Sequence, residues 1–185
     1  MNINSQLVIE NIIDAYKKAV DTKIEGNSNQ EIHSKRSKKL IDNITENLKN
    51  IYNDEDIIVF SSKERSETFK RNELLYDINV CKINKLSSNP SIEYVEKSLL
   101  QIESEFKKDR RHVAIDFSKL VCGNSELKIM IISRVNKEEN FREALKPIAE
   151  NIKEELYLIQ LEHPENWDVC DEYSIYKLDS NWREV

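Results

Sequence analysis

The sequence predicts an α/β fold, a mixed central sheet flanked by helices, and three observations favour it. Apolar residues recur at helical spacing in the first two long segments, 5–24 and 30–52. Three β runs then follow one another with no helical segment between them. After these, helical segments alternate with apolar strands, the order that produces crossover connections between parallel strands. A three-strand meander continued by crossover strands gives a mixed sheet.

The first two predicted helices are amphipathic. Val8 and Ile12 belong to the apolar stripe of the first helix, and Ile44 and Leu48 to that of the second. The turn-forming sequence that begins at Gly26 separates them. The whole chain, 1–185, is expected to form a single domain in which residues 1–28 are an N-terminal helical extension.

Alternation in the predicted strands decides which side chains share a face. In the strand 74–83, Leu75, Asp77 and Asn79 are predicted to share one face and Tyr76, Ile78 and Val80 the other. The other predicted elements are, in chain order, a strand at 56–61, a loop at 62–72, a turn at 87–90, a strand at 98–106, a helix at 109–121 ended by Gly123, a strand at 127–135, a helix at 139–154, a strand at 156–161, a turn at 163–166 and a strand at 173–178.

Composition excludes several classes of protein. Two glycines occur in 185 residues, so the clustered glycines of a phosphate-cradling loop are missing and P-loop and Rossmann sites are excluded. No apolar run approaches the ~20 residues that span a membrane. The three cysteines are scattered, which indicates reduced thiols and a cytoplasmic protein.

Charge is divided unevenly along the chain. The net charge is −6, but residues 138–172 carry eleven acidic and three basic residues. Three basic clusters precede them, and such clusters either contact phosphates or form solvated faces. We expect nucleic-acid contacts from two of them, at Lys35, Arg36, Lys38 and Lys39, and at Lys107, Lys108, Arg110 and Arg111. The third contains Lys63, Arg65, Lys70 and Arg71.

Acidic residues occur in strands where they are expected to be rare. Asp77 lies in the middle of a mostly apolar strand, and Glu103 and Glu105 share one face of the next strand. If these strands pair, three carboxylates converge, and their repulsion favours a divalent cation such as Mg²⁺ or Mn²⁺. Alternatively, the glutamates face solvent and pair with Lys107 or Lys82.

The order of these motifs resembles the PD-(D/E)XK nuclease superfamily. The resemblance rests on Leu75–Val80, on Gln101–Phe106 with its Glu-Ser-Glu sequence, on the helix that contains Asp116–Gly123, and on the strand 127–132. It covers about a third of the chain and is closest to small type II restriction endonucleases with a Glu-x-Glu motif. It implies a restriction-endonuclease-like core.

The resemblance also implies roles for individual residues. Asp77 and Glu103 would hold the metal ion, and Glu105, where many members have lysine, would act as the general base or as a neighbour of the metal. Lys119 is the other candidate for activating water, because some members supply the lysine from this helix. Glu46 corresponds to the acidic residue that many members contribute from the first core helix, although a solvated glutamate is the alternative.

The expected function is therefore a Mg²⁺-dependent endonuclease that hydrolyses DNA, as a homodimer or as a subunit of a bacterial restriction or anti-phage defence complex. Two alternatives stay open from the sequence. One is an inactive nuclease-fold subunit that acts as a binding or scaffold module. The other is an acidic inhibitor that mimics nucleic acid.

Overall fold

One mixed seven-stranded sheet and four α-helices make up the computed structural model of the chain, which describes residues 3–63, 65–67, 69–72, 74–134, 138–178 and 182–185. No helix in those ranges is both long and apolar enough to cross a membrane. The elements are α1 (Ser5–Val20), α2 (Asn29–Ile51), β1 (Ile57–Ser61), β2 (Ile78–Leu86), β3 (Asn89–Glu105), α3 (Arg110–Cys122), β4 (Leu127–Ser133), α4 (Glu138–Ala149), β5 (Glu155–Leu161), a 3₁₀ turn (Pro164–Asn166), β6 (Tyr173–Leu178) and β7 (Trp182–Glu184).

The order of the strands in the sheet is the same as their order in the chain. β1, β2 and β3 form an antiparallel meander, and β3, β4 and β5 are parallel. β6 and β7 continue the sheet as antiparallel strands. The parallel pairs are connected through α3 and α4, as short hairpins cannot join parallel strands. The predicted α/β class with a mixed sheet flanked by helices is confirmed.

Each face of the sheet has its own apolar core. On one face, α1 and α2 pack on alternate strand residues such as Ile78, Ile102 and Ile129. On the other face, α3 and α4 pack on the intervening residues such as Met130 and Ile132. α1 lies within the region 1–28, and its buried apolar residues are part of the first core. The two crossover helices, α3 and α4, lie on the same face of the sheet. Two successive right-handed crossovers that move in the same direction across a sheet require this arrangement.

Side-chain caps fix where the helices begin. The Ser28 hydroxyl accepts a hydrogen bond from the Glu31 N–H at 3.2 Å, and the Glu31 carboxylate accepts one from the Asn27 N–H at 2.8 Å. At α3, the Asp109 carboxylate accepts from the Arg111 N–H at 2.9 Å. This cap begins α3 five residues after β3 ends, so the helix passes back over the face that carries Glu103.

The largest differences from the predicted elements lie around β2. The strand begins at Ile78 instead of residue 74, because Leu75 has a positive φ of 71° and is 82% exposed. This conformation interrupts the alternation, and Tyr76 enters the core under α3 and α4. Elsewhere, β4 ends at Ser133, and residue 135 of its predicted range lies outside the described residues, as do residues 64 and 68 of the predicted loop. β7 was not predicted.

The β2–β3 hairpin extends beyond the rest of the sheet. β1 pairs with β2 only as far as Lys82, and β4 pairs with β3 only from Leu100. From Asn84 to Tyr94 the two strands pair only with each other within the described sheet. The predicted strand at 98–106 is therefore the inner part of a 17-residue strand.

Candidate active site

Asp77 lies directly before β2, and Glu103 lies on the neighbouring strand β3, on the face of the sheet that α3 covers. Ile78 pairs with Ile102, so continuing this antiparallel register by one residue sets Asp77 opposite Glu103. The Ser104 N–H donates to Asp77 Oδ2 at 2.9 Å, and the Ser104 hydroxyl donates to the same oxygen at 2.6 Å. Ser104 therefore holds the Asp77 carboxylate, and the negative charge of Asp77 acts on the pKa of Glu103.

Glu103 has an unusual environment for a carboxylate. Its side chain is 1% exposed, and its Oε1 is buried with no hydrogen-bond donor among the described residues. Burial raises its pKa, the negative charge of Asp77 raises it further, and Lys119 partly offsets both effects, so that the net pKa is about 8. A buried carboxylate with one unsatisfied oxygen is costly for folding and is typical of a functional site.

Lys119 reaches Glu103 from helix α3. Its Nζ lies 3.1 Å from Glu103 Oε2 and 2.7 Å from Asp116 Oδ1, one helical turn earlier. Burial favours a lower pKa for the Lys119 ammonium, but the bonds to Asp116 and Glu103 outweigh it and the pKa is raised. Lys119 is therefore a fixed cation beside the buried carboxylate. Its side chain is still 45% exposed, so it borders both the site and solvent.

Two buried side chains, Tyr76 and Lys128, hold the end of α3 that carries Lys119. The Tyr76 hydroxyl donates to the Lys119 carbonyl at 3.3 Å, and Lys128 donates to the Gly123 carbonyl at 2.8 Å. Lys128 is buried and forms an ion pair with Glu154 at 3.0 Å. A Cβ on Gly123 would lie 2.2 Å from the Tyr76 hydroxyl, so the chain approaches the sheet here more closely than any other residue type allows.

Glu105 shares the strand face of Glu103 but does not share its contacts. Its Oε1 accepts from the Lys107 N–H at 2.8 Å, and its Oε2 lies 3.8 Å from Lys107 Nζ. It lies two residues beyond Glu103 at the end of β3, about 7 Å along the strand. One predicted alternative, pairing with Lys107, is therefore observed for Glu105. Glu103 is instead buried against Lys119.

The structure does not bring Glu46 to this site. It lies on α2, which packs on the opposite face of the sheet, and it forms a 3.0 Å ion pair with Lys63. The Lys63 contact lowers the pKa of Glu46, as expected for an exposed, paired carboxylate. The helical stripe that buries Ile44 and Leu48 directs Glu46 away from the core, so the solvated alternative is the one that is observed.

The predicted basic cluster on α2 also lies on this opposite face. Arg36 is buried, donates to the Pro164 carbonyl at 2.6 Å and forms an ion pair with Asp168. It therefore tethers α2 to the segment after β5 and does not present its charge at an exposed surface. Lys35 pairs with Glu31 at 2.7 Å. Lys38 is exposed and Lys39 is half-buried.

The second basic cluster lies at the edge of the sheet where β3 ends. Lys107 and Lys108 follow β3, and Arg110 and Arg111 begin α3. Lys108 pairs with Glu165 at 2.8 Å, and Arg111 pairs with Asp109 at 2.9 Å. All four are exposed, and they lie close in sequence to Glu103 and Glu105. Of the two predicted clusters, only this one is near the carboxylates.

Asp77 and Glu103 are the two carboxylates that could hold a magnesium ion. Among the described residues, no three His, Cys, Asp or Glu side chains are arranged as a complete metal cage. Mg²⁺, however, commonly takes only one or two carboxylates and completes its shell with waters and substrate phosphate. Glu103 Oε1 has no donor, and Ser104 occupies only one oxygen of Asp77. Asp77 and Glu103 thus retain the oxygens that such an ion requires.

Two contributors to the site were not predicted. Asp116 was named only within the helix motif, although its i, i+3 spacing from Lys119 was a usable signal. Ser104 lies between the two glutamates on the alternate face, so alternation directs it away from the site. It contributes because Asp77 lies at the bend before β2 and reaches its N–H and hydroxyl.

No protein-family model matches the chain, and neither a curated protein nor a solved structure matches it. The function is therefore inferred from the geometry of Asp77, Glu103 and Lys119 and from the motif order.

Proposed function

We propose that the protein is a Mg²⁺-dependent endonuclease that hydrolyses DNA phosphodiester bonds, with Mn²⁺ as an alternative ion. One observation carries the proposal. A buried carboxylate, Glu103, has an unsatisfied oxygen, a second carboxylate from the adjacent strand and a lysine from the next helix. Metal-assisted phosphodiester hydrolysis needs this set of groups. The order of one helix, three meander strands, a helix and a parallel strand also agrees with the resemblance to PD-(D/E)XK nucleases.

In this proposal Asp77 and Glu103 hold the ion, and Ser104 keeps Asp77 oriented toward it. Bound Mg²⁺ supplies Lewis-acid stabilisation of the phosphate and lowers the pKa of water. The Lys119 ammonium orients the attacking water and stabilises negative charge on the pentavalent phosphorus. Asp116 holds Lys119 in place from one turn away. Glu105 is the remaining candidate for accepting the proton of the water.

The finer parts of the proposal concern the substrate and the cellular setting. Lys107, Lys108, Arg110 and Arg111 are the groups that we propose contact the DNA backbone. We also propose a homodimer or a larger defence complex in the bacterial cytoplasm, acting in restriction or phage defence. The resemblance supports these assignments, and the three unpaired cysteines agree with a reducing compartment.

The test is cleavage of plasmid and linear DNA with Mg²⁺ or Mn²⁺ by the wild type, Asp77→Asn and Glu103→Gln. Both substitutions keep the shape of the side chain and remove the charge. We expect nicking or linearisation by the wild type and a loss of about 100-fold or more in each variant. Glu96→Gln is the matched control, because Glu96 lies on the same strand in an exposed ion pair with Lys82. Wild-type protein that cuts no DNA would refute the proposal.

A second candidate function is a nuclease-fold binding module without catalysis. Lys119 already contacts Glu103, and a pKa of about 8 keeps Glu103 mostly protonated at neutral pH, which favours a site that binds no ion. Isothermal titration calorimetry with Mg²⁺ and Mn²⁺ separates the two functions. The endonuclease requires an ion-binding signal that Glu103→Gln abolishes, whereas the module gives none in either protein.

A further inference from the structure

A cavity of about 410 Å³ opens at the carboxyl ends of the three parallel strands. Its lining includes the residues that follow β3 and β5, the end of β4, and residues of α3 and α4. Small ligands of α/β proteins commonly bind at this edge, because loops and helix ends surround a concave space there. The basic residues of the lining are Lys107, Lys108, Arg110, Arg134 and His163.

Three of the cations around this cavity have weak or solvent-exposed contacts, whereas Arg134 forms a close ion pair with Glu172. Lys107 Nζ is 3.8 Å from the nearest Glu105 oxygen, and the Lys108 ion pair with Glu165 is largely exposed. Arg110 lies over the Phe141 ring, 5.5 Å from its centre, and forms no ion pair within the described part of the chain. Exposed ion pairs contribute little free energy in water. A bound anion can therefore replace the carboxylates as the partner of the lysines.

His163 adds a neutral donor to the lining. Burial lowers its pKa, and the nearby charge of Lys108 lowers it further. Its Nδ1 accepts a hydrogen bond from the Glu165 N–H at 3.2 Å, so the neutral ring carries its proton on Nε2. The Glu162 carboxylate also lines the cavity and accepts a hydrogen bond from the Asn166 amide at 2.6 Å. The cationic side chains of the lining and the imidazole of His163 are groups that bind phosphate oxygens.

We propose that this cavity binds a phosphate monoester, the terminal group of nucleic-acid ends and of free nucleotides. A monoester carries about −1.5 to −2 charges at neutral pH, so it interacts with several cations more strongly than the singly charged diester does. The cavity is bordered by the ends of three β-strands and by two helices. It therefore suits the terminal phosphate of a nucleic acid better than a nucleic-acid chain that continues through it. This assignment goes beyond the proposed cleavage and holds whether or not the chain cuts DNA.

The experiment measures binding by the full chain in a chelator, so that cleavage plays no part. Fluorescence anisotropy compares short single-stranded DNA with a 5′-phosphate, a 3′-phosphate or neither, and calorimetry compares a nucleoside monophosphate with its nucleoside. We expect the phosphorylated ligand that the cavity accepts to bind at least about tenfold more tightly than its unphosphorylated form. Tight binding of the monophosphate itself identifies a free nucleotide, whereas binding of the oligonucleotide alone identifies a strand end. Both results support the proposal.

Two variants assign the binding to the cavity. Lys107→Gln and Arg110→Gln are each expected to reduce binding of the phosphorylated ligand about tenfold. Lys85→Gln is the control for Lys107, because their side chains are 63% and 64% exposed and their nearest carboxylates lie at 4.0 and 3.8 Å. Equal affinity for phosphorylated and unphosphorylated ligands, or unchanged binding by both variants, would overturn the proposal. If Arg110→Gln unfolds the chain, Lys107→Gln still decides.

Discussion

Lys119 Nζ lies 3.1 Å from Glu103 Oε2, so helix α3 contacts a carboxylate on the preceding strand that is only 1% exposed. The contact comes from α3 and not from the strand position that usually supplies a lysine in the family that the sequence resembles. It gives Lys119 two roles that can be separated by experiment. The ammonium favours the ionised form of Glu103, and in the proposed reaction it also acts on water and phosphate.

Lys119→Met is expected to reduce cleavage about 100-fold or more, because it removes the cation that stabilises the transition state. Binding of Mg²⁺, measured by calorimetry, should be retained or strengthened, since Glu103 loses the cation that competes with the metal. Lys119→Arg should recover part of the activity. Lys97→Met is the control, as Lys97 forms a similar half-exposed ion pair with Glu126 on the same sheet. Loss of metal binding in Lys119→Met would contradict this account.

Glu103→Gln is expected to change how stability depends on pH. The folded chain raises the pKa of Glu103 from 4.5 to about 8, so the folded state binds this proton more tightly than the unfolded state. The stabilisation from the protonated form is complete below about pH 4.5 and declines as pH rises towards 8. The decline is at most about 1.4 kcal/mol per pH unit, and Gln removes it.

Urea denaturation at several pH values between 4.5 and 8, in a chelator, measures this difference. The free energy of unfolding of Glu103→Gln should gain on that of the wild type steadily as the pH rises. Glu96→Gln, an exposed glutamate on the same strand, should keep a constant difference from the wild type. Parallel pH profiles for the wild type and Glu103→Gln would show that Glu103 ionises normally in the folded chain.

Ser104→Ala is expected to lower the rate of cleavage about tenfold and to affect substrate binding much less. The hydroxyl donates to Asp77 Oδ2 at 2.6 Å, and its loss leaves only the bond from the backbone N–H to orient the carboxylate. Ser98→Ala is the control. Ser98 lies on the same strand as Ser104 and donates a comparable hydrogen bond to Asn79 at 2.7 Å, and its loss should leave the rate unchanged. Steady-state kinetics distinguish the two variants, and an equal loss in both would point to general destabilisation.

Gly123→Ala is expected to lower the free energy of unfolding by about 2 kcal/mol, because the new Cβ meets buried polar atoms that cannot move away. It would lie 2.2 Å from the Tyr76 hydroxyl and 2.4 Å from the Gln101 side chain. Gly26→Ala is the control, since its Cβ meets mainly the flexible side chain of Ile32, at 2.9 Å. Denaturant unfolding of the two variants compares them directly. A smaller effect at Gly123 than at Gly26 would contradict the close approach.

The sequence predicted the parts of the site that follow from periodicity. Strand alternation and the meander order predicted that the segments of Asp77 and Glu103 are adjacent, and the pairing of Ile78 with Ile102 agrees with this. Lys119 was named from the family resemblance, which supplies a lysine from the helix after this strand in some members. Strand alternation alone does not decide what Glu105 contacts. Glu105 lies at the end of β3, and its carboxylate accepts a hydrogen bond from the Lys107 N–H there. Alternation also did not predict the contact between Ser104 and Asp77. The bend at Leu75 changes the direction of the Asp77 side chain, which contacts Ser104.

Burial was the property that the sequence could not supply. A charged helix residue such as Arg36 looks like part of a basic surface until the fold covers it with the segment near Pro164. Glu46 likewise lies in a helix of the predicted position, but its helix packs on the other face of the sheet. Which face each helix covers depends on crossovers and tertiary packing, and local patterns do not encode either one.

The projecting β2–β3 hairpin has a practical consequence for all these measurements. Its tip has only two strands and lies outside both cores, so local opening there costs little of the global stability. A fluorescent label or a short peptide insertion near Ser87 should therefore leave the folded body intact. Such a label would lie at the end of the sheet opposite the carboxylates and the cavity and would touch neither.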